Sequence, residues 1–116
     1  MMKKAARLKG KKEFDTVFSE GRALANNFVV LRAVPNSIGV NRYGIVAGRR
    51  LGTAVVRNRV KRQLRAMVSN IAAREGWDVV LVARKTATET DYHTLESATR
   101  ELFTRARLLG EDESTD

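Results

Sequence analysis

The sequence lacks cysteine, and this absence excludes disulfide bonds and thiolate metal sites. It also lacks long apolar runs: the longest purely apolar stretch, Val79 to Ala83, is far below the roughly 18 residues that a membrane-spanning helix needs. The start Met1-Met2-Lys3-Lys4 is not followed by an apolar segment suited to export. A cytoplasmic protein without a membrane span is therefore expected.

Acidic residues are scarce in the first half of the chain. Positions 1–65 contain 16 Lys or Arg residues and only three acidic residues. Positions 66–110 contain six of each, and positions 111–116 contain four acidic residues. The net charge of +9 therefore originates in the first half, which is typical of a protein that binds a polyanion. A merely solvated surface would more often mix both signs.

The length and composition favour one domain. With 116 residues, 43% of them apolar, the chain has one modest core and little room for a deep enclosed active site. We predict a single domain over residues 1–110 and an acidic, disordered tail over residues 111–116. The domain opens with a basic arm at residues 1–12, disordered on its own, which contains Lys3, Lys4, Arg7, Lys9, Lys11 and Lys12.

Three segments have apolar residues at helical spacing. The first contains Phe14, Val17 and Phe18, and Gly21 is expected to end it in a left-handed conformation. The second begins after Thr53, a plausible N-cap, and its apolar stripe consists of Val56, Val60, Leu64, Met67 and Ile71. The third has inward positions at Leu95, Ala98, Leu102, Ala106 and Leu109.

Short β-branched runs predict the strands. Residues 28–34 and 43–47 are joined by a polar loop short enough for an antiparallel hairpin. Residues 79–83 form another buried strand, and residues 22–25 are a candidate edge strand.

The second helix is the most distinctive segment. Between positions 49 and 65 there is no acid and there are seven bases: Arg49, Arg50, Arg57, Arg59, Lys61, Arg62 and Arg65. On a helix, Arg57, Lys61 and Arg65 form one row, and Asn58 and Arg62 an adjacent one, opposite the apolar stripe. The arginine fork grips phosphates and stacks on unpaired bases, and an asparagine amide can contact a base edge or a 2′-hydroxyl.

The run from Ala54 to Arg65 closely resembles the signature helix of the bacterial ribonuclease P protein subunit. Other pieces agree in the same order, and the resemblance covers roughly residues 7–108: Phe14 to Phe18 with Gly21, the strand at Phe28, Arg49 to Gly52, and Ala83 to Lys85. The chain departs from the family pattern at two positions. Ala66 stands where the family commonly has a carboxylate, and Leu31 where it often has an aromatic residue.

The resemblance implies an α/β sandwich of the α+β type in the order α-β-β-β-α-β-α, with a four-stranded mixed sheet and a left-handed β-α-β crossover through the basic helix. It also implies an RNA-binding protein that assists removal of the 5′ leader from precursor tRNA. Its RNA-subunit contacts would be Arg49, Arg50, Arg57, Asn58, Arg59, Lys61, Arg62 and Arg65. Phe14, Phe18 and Leu31 would line a leader cleft, although phenylalanines at this spacing are also typical of a core.

No catalytic constellation is evident in the sequence. His93 is the single histidine, and a histidine at the start of a helix is usually a capping or surface residue. The acidic side chains at positions 1–110 are scattered along the sequence, so we predict no metal site and no catalytic residue. The resemblance implies instead that the RNA subunit and the substrate hold magnesium and that the RNA performs the hydrolysis.

Two other classes of protein remain as alternatives. A helix-turn-helix DNA-binding protein would need a helix where residues 43–47 predict a strand, so DNA is not an expected partner. A structural RNA-binding protein of the ribosomal type has a similar composition, and only the ordered motif argues against it.

Overall fold

The computed structural model describes residues 6–109. Within these residues, five strands form one sheet: β1 (Ala6–Arg7), β2 (Arg22–Ala25), β3 (Val29–Pro35), β4 (Arg42–Val46) and β5 (Trp77–Ala83). The described part of the chain has three helices, which flank the sheet: α1 (Gly10–Glu20), α2 (Ala54–Ser69) and α3 (Tyr92–Arg105). Two short 3-10 turns, Arg49–Leu51 and Lys85–Thr88, follow β4 and β5. The mixed α+β class is as expected, but the sheet has a fifth strand.

The strand order is β1-β4-β5-β3-β2, with β4 parallel to β5 and β3 antiparallel to it. Helix α2 therefore connects two adjacent parallel strands, as predicted, whereas the left-handed sense of this crossover stays a prediction. The predicted hairpin between the third and fourth strands is wrong, because β5 lies between them. Consecutive residues of β5 from Asp78 to Leu81 are buried, so both of its faces are covered, as in a central strand.

Strand β1 was not predicted, since it lies in the segment interpreted as a basic arm. The backbone N–H of Ala6 donates to the Asn41 carbonyl oxygen over 2.9 Å, and that of Leu8 donates to the Tyr43 carbonyl oxygen over 3.0 Å. The Leu8 side chain is buried. These contacts place residues 6–8 at the edge of the sheet, and α1 begins at Gly10, still inside the predicted arm. The remaining arm residues, 1–5, and the predicted acidic tail lie outside the described residues.

Helices α2 and α3 cover one face of the sheet. Alternate strand residues point into this layer, among them Val29, Leu31 and Ala33 of β3. They meet fully buried helix residues, which include Val60, Leu64, Met67, Leu95, Leu102 and Phe103. This layer is the main hydrophobic core.

Helix α1 is the helix that packs on the opposite face. Val17 is completely buried there against Leu8 and Val80. Gly21 ends the helix in an extended conformation, with φ of −77°, so the predicted left-handed stop is wrong. Glycine is needed for space instead, because a Cβ atom at this position would press against the carbonyl oxygen of Val17 and lie 3.2 Å from that of Ala33.

An ionic network centred on the buried Asp78 also fixes α1 to the sheet. Arg42 Nε and Nη2 donate to the two carboxylate oxygens of Asp78 over 2.8 and 2.7 Å, and Nη1 donates to Glu13 of α1 over 2.8 Å. Asn36 Nδ2 donates to the same Asp78 carboxylate over 2.8 Å, so this buried charge is well satisfied. The hydrogen bonds from Arg42 to Asp78, more than its other contacts, raise the pKa of the Arg42 guanidinium.

Gly44 of β4 permits the close approach of α1, and its replacement gives a first prediction. A Cβ atom at position 44 would lie 2.6 Å from two atoms of the Phe14 ring. We expect Gly44→Ala to lower the free energy of unfolding by about 1 to 3 kcal/mol, because the ring must leave its packed position. Denaturant titration measures this. Gly48→Ala is the control and should change stability little, because a Cβ there meets no described atom within 4 Å. Equal losses of stability in the two variants would contradict the close contact between Gly44 and the Phe14 ring.

Candidate nucleic-acid interface

The local sequence of α2 determines which face of the helix is exposed to solvent. The Thr53 side chain accepts a hydrogen bond from the Val56 backbone N–H over 3.4 Å, so the predicted N-cap is confirmed. Val60, Leu64 and Met67 are completely buried, as the predicted stripe requires. The opposite face of the helix is therefore presented to solvent.

That outer face is basic and contains no acidic side chain. Asn58, Lys61 and Arg62 are exposed, whereas Arg57 and Arg65 are half-buried beside the apolar stripe. The Nε atom of Arg57 is buried and has no hydrogen-bonding partner within residues 6–109. A buried, unsatisfied N–H costs free energy, so the conformation of Arg57 shown here is not favoured by hydrogen bonding at Nε.

Arg7 is not among the predicted RNA-subunit contacts, but it extends this basic face. In β1 it pairs in register with Tyr43, whose side chain faces the α2 layer. Burial lowers the pKa of the Arg65 guanidinium, and the nearby charge of Arg7 lowers it further. With no acid on α2 or β1, Arg7 and Arg65 contribute to an electropositive surface suited to a polyanion.

The eight predicted contact residues do not form one continuous row. Arg59 lies on the other flank of α2, where its Nη2 atom donates to the Thr88 carbonyl oxygen over 3.0 Å. Arg49 and Arg50 are exposed on the 3-10 turn that precedes α2, which the buried Leu51 anchors to the core. The structure therefore places a basic row on α2 beside β1, and a second group of arginines near the turns that follow β4 and β5.

A different surface lies on the α1 side of the sheet, and we call it the open face. Its floor consists of half-buried valines from three strands, Val30, Val46 and Val82. Phe18 on α1 is 40% exposed beside it, whereas Phe14 is half-buried against Gly44. An exposed aromatic ring beside a shallow apolar floor is a surface on which an unpaired base can stack.

Leu31 does not share the open face with the two phenylalanines. It is 1% exposed and belongs to the core under α2 and α3, on the opposite side of the sheet. Because strand side chains alternate between faces, the next residue, Arg32, is the one that lies beside Phe18. The predicted site is thus corrected by one position. The sequence contained a signal for this, since Arg32 is the charged residue in an otherwise apolar strand.

The described residues offer little catalytic chemistry. Within residues 6–109 no three His, Asp or Glu side chains lie close enough to hold a metal ion. His93 is exposed in the first turn of α3, and Asp91, not His93, caps that helix by accepting from the Thr94 backbone N–H over 2.7 Å. This hydrogen bond lowers the pKa of Asp91.

None of the described helices is long and apolar enough to cross a membrane.

The mixed sheet, the acid-free basic helix and the open aromatic face together define a single-domain RNA-binding protein of the α+β class. The sequence matches the family described as Ribonuclease P over residues 2–107, and the chain belongs to that family. A ribonuclease P protein component from Caldanaerobacter subterraneus subsp. tengcongensis is 42% identical over 97% of this chain and 99% of its own length. One from Symbiobacterium thermophilum is 42% identical over 93% of this chain and 96% of its own length.

Solved structures of ribonuclease P proteins have the same fold. The protein from Staphylococcus aureus superposes with a TM-score of 0.82 at 26% identity. The match covers 92% of this chain and 100% of the Staphylococcus aureus chain. The protein from Thermotoga maritima gives a TM-score of 0.79 at 30% identity over 85% of this chain and 96% of its own. The family and the α+β class expected from the ordered motif are thereby confirmed.

Proposed function

We propose that this protein component of ribonuclease P binds the catalytic RNA subunit through the basic face of α2 and the 5′ leader of precursor tRNA through the open face. The complex then removes the leader by magnesium-dependent endonucleolytic cleavage. The observation that carries the proposal is the placement of α1 and α2 on opposite faces of one thin sheet. Because the two surfaces do not overlap, the protein can hold both RNAs at once, in the cytoplasm where precursor tRNA is made.

The two surfaces suit different RNA targets. The α2 row presents arginines and lysine at helical spacing, which matches the repeated phosphates of a folded RNA. The open face has an aromatic ring and an apolar floor, which favour an unpaired strand whose bases can stack. The 5′ leader is an unpaired segment of the substrate, so we assign it to the open face.

We assign magnesium to the RNA subunit and the substrate. The described residues do not fit a metal site, because they hold no suitable cluster of His, Asp or Glu side chains. The contribution of the protein is to bind, orient and neutralise charge between two polyanions.

The identity of the bound RNA tests the proposal. The protein, purified from its host under native conditions at low salt, should retain an RNA through the α2 face, and sequencing should identify this RNA as the ribonuclease P RNA. Recovery of ribosomal RNA alone would instead support the alternative of a structural RNA-binding protein without a role in cleavage.

Phe18 gives a direct test of the leader site. In the complete complex, Phe18→Ala should weaken binding of precursor tRNA by about 1 to 3 kcal/mol, the contribution of one base stacked on an aromatic ring. Affinity for the RNA subunit should not change, because Phe18 lies on the face opposite α2. Equilibrium binding of precursor and mature tRNA measures the leader contribution. A loss of thermal stability with unchanged leader affinity would show that Phe18 is only a packing residue.

A further inference from the structure

Arg32 is held over the exposed ring of Phe18 on the open face. Its guanidinium carbon lies 5.3 Å from the centre of the ring, within the range of a cation–π interaction. Its Nη1 atom also donates to the Phe18 carbonyl oxygen over 2.9 Å, at the end of α1. The ring and the carbonyl together fix the guanidinium in position, so a long and flexible side chain is ordered before any ligand arrives.

The surroundings of Arg32 do not neutralise its charge. Its cross-strand partners are Ala23 of β2 and Val80 of β5, both apolar, and it forms no ion pair with any residue between 6 and 109. One of its five N–H groups is used by the Phe18 carbonyl, and the rest have no partner within the same residues. A structural role would require only that one bond, so most of the donor capacity of the guanidinium remains for a ligand.

We propose that Arg32 binds a phosphate of the leader and thereby makes the open face a site that grips the nucleic-acid backbone. This inference rests on the proposed leader site and adds the chemical group that the site recognises. The planar fork can give a phosphate two parallel hydrogen bonds while its face stays on the Phe18 ring. A backbone contact carries no base information, so the site accepts leaders of any sequence.

Neutral linkages in the leader test this phosphate contact. The complex reconstituted with its RNA subunit is titrated with precursor tRNAs that carry one uncharged methylphosphonate at successive leader positions. Arg32→Gln should weaken binding of the unmodified substrate about tenfold, the effect of losing a charge-assisted hydrogen-bond pair. It should also reduce the slope of log affinity against log salt by about 0.7. At one leader position the methylphosphonate should weaken binding to the wild type but not to the variant.

Arg105→Gln is the matched control, because Arg105 also donates one hydrogen bond to a backbone carbonyl, that of Ala25, but belongs to α3 on the other side of the sheet. It should leave leader affinity unchanged. Two results would overturn the proposal. In the first, the losses of affinity caused by Arg32→Gln and by the methylphosphonate are additive at every leader position. In the second, removal of one leader base, which leaves an abasic nucleotide, abolishes the effect of Arg32→Gln on affinity. If wild-type complex binds precursor and mature tRNA equally, the leader site itself fails. If Phe18→Ala weakens leader binding and Arg32→Gln does not, only the phosphate contact fails.

Discussion

Purified without an RNA partner, the chain is expected to leave precursor tRNA uncleaved at every magnesium concentration. Two-metal hydrolysis needs carboxylates that converge on a pair of ions, and no such cluster exists within residues 6–109. His93 is exposed at the start of α3 and belongs to neither of the two candidate RNA surfaces. Incubation of 5′-labelled precursor with the RNA-free protein, followed by gel analysis, measures this.

Addition of the protein to the RNA subunit should instead lower the concentrations of magnesium and salt that cleavage requires. The 16 basic residues of positions 1–65 offset repulsion between two polyanions and so act on binding and positioning. Saturating magnesium should therefore reduce the difference in cleavage rate between the RNA subunit alone and the complex. His93→Ala is the control and should leave the cleavage rate of the complex nearly unchanged. Specific leader removal by RNA-free protein, abolished by His93→Ala, would make the chain a nuclease in its own right.

Local signals in the sequence were enough to predict α2 and its basic face. The N-cap at Thr53, the apolar stripe and the acid-free charge are all properties of neighbouring residues, and each appears in the structure as expected. The segments of β2, β3, β4 and β5 were also predicted, because β-branched runs bounded by turn residues are local features. The family motif added the functional interpretation, which composition alone left open between several RNA-binding classes.

Long-range pairing could not be predicted in the same way. The short connection between β3 and β4 suggested a hairpin, but the strand inserted between them, β5, comes after α2 in the chain. The uninterrupted apolar run of β5 was the available evidence for a central position. Strand β1 had even less support, because its two residues, Ala6 and Arg7, pair with β4 only in the context of the complete sheet.

The leader site shows how sensitive a surface is to strand register. A difference of one residue moves a side chain from one face of a sheet to the other. Leu31 was predicted to lie beside Phe18, but it is in the core, and Arg32 lies there instead. The charged Arg32 in an otherwise apolar strand marked the less buried face of β3, but which helix covers that face depends on the packing of the whole sheet.

The basic row of α2 gives the prediction for RNA-subunit binding. Replacement of Arg57, Lys61 and Arg65 together by glutamine should weaken binding strongly at physiological salt and reduce the slope of log affinity against log salt by roughly three, about one counterion for each lost phosphate contact. Glutamine keeps much of the side-chain length and helix propensity, so the fold should persist. Binding titrations at several salt concentrations measure the slope, and circular dichroism checks the helix content.

Comparison of single variants would show whether the row acts through geometry or through charge alone. Arg57→Lys keeps the charge but removes the planar guanidinium fork, so it should weaken binding more than Lys61→Arg, which keeps the charge and adds a fork. Arg100→Gln on α3 is the control, because Arg100 is also a half-buried helical arginine but is not part of the basic row; its Nη2 atom donates to the carbonyl oxygen of Asn70, after the end of α2, over 3.3 Å. It should barely affect binding or its salt dependence. Equal losses from Arg57→Gln and Arg100→Gln would mean that diffuse charge attracts the RNA, and α2 would then have no special role.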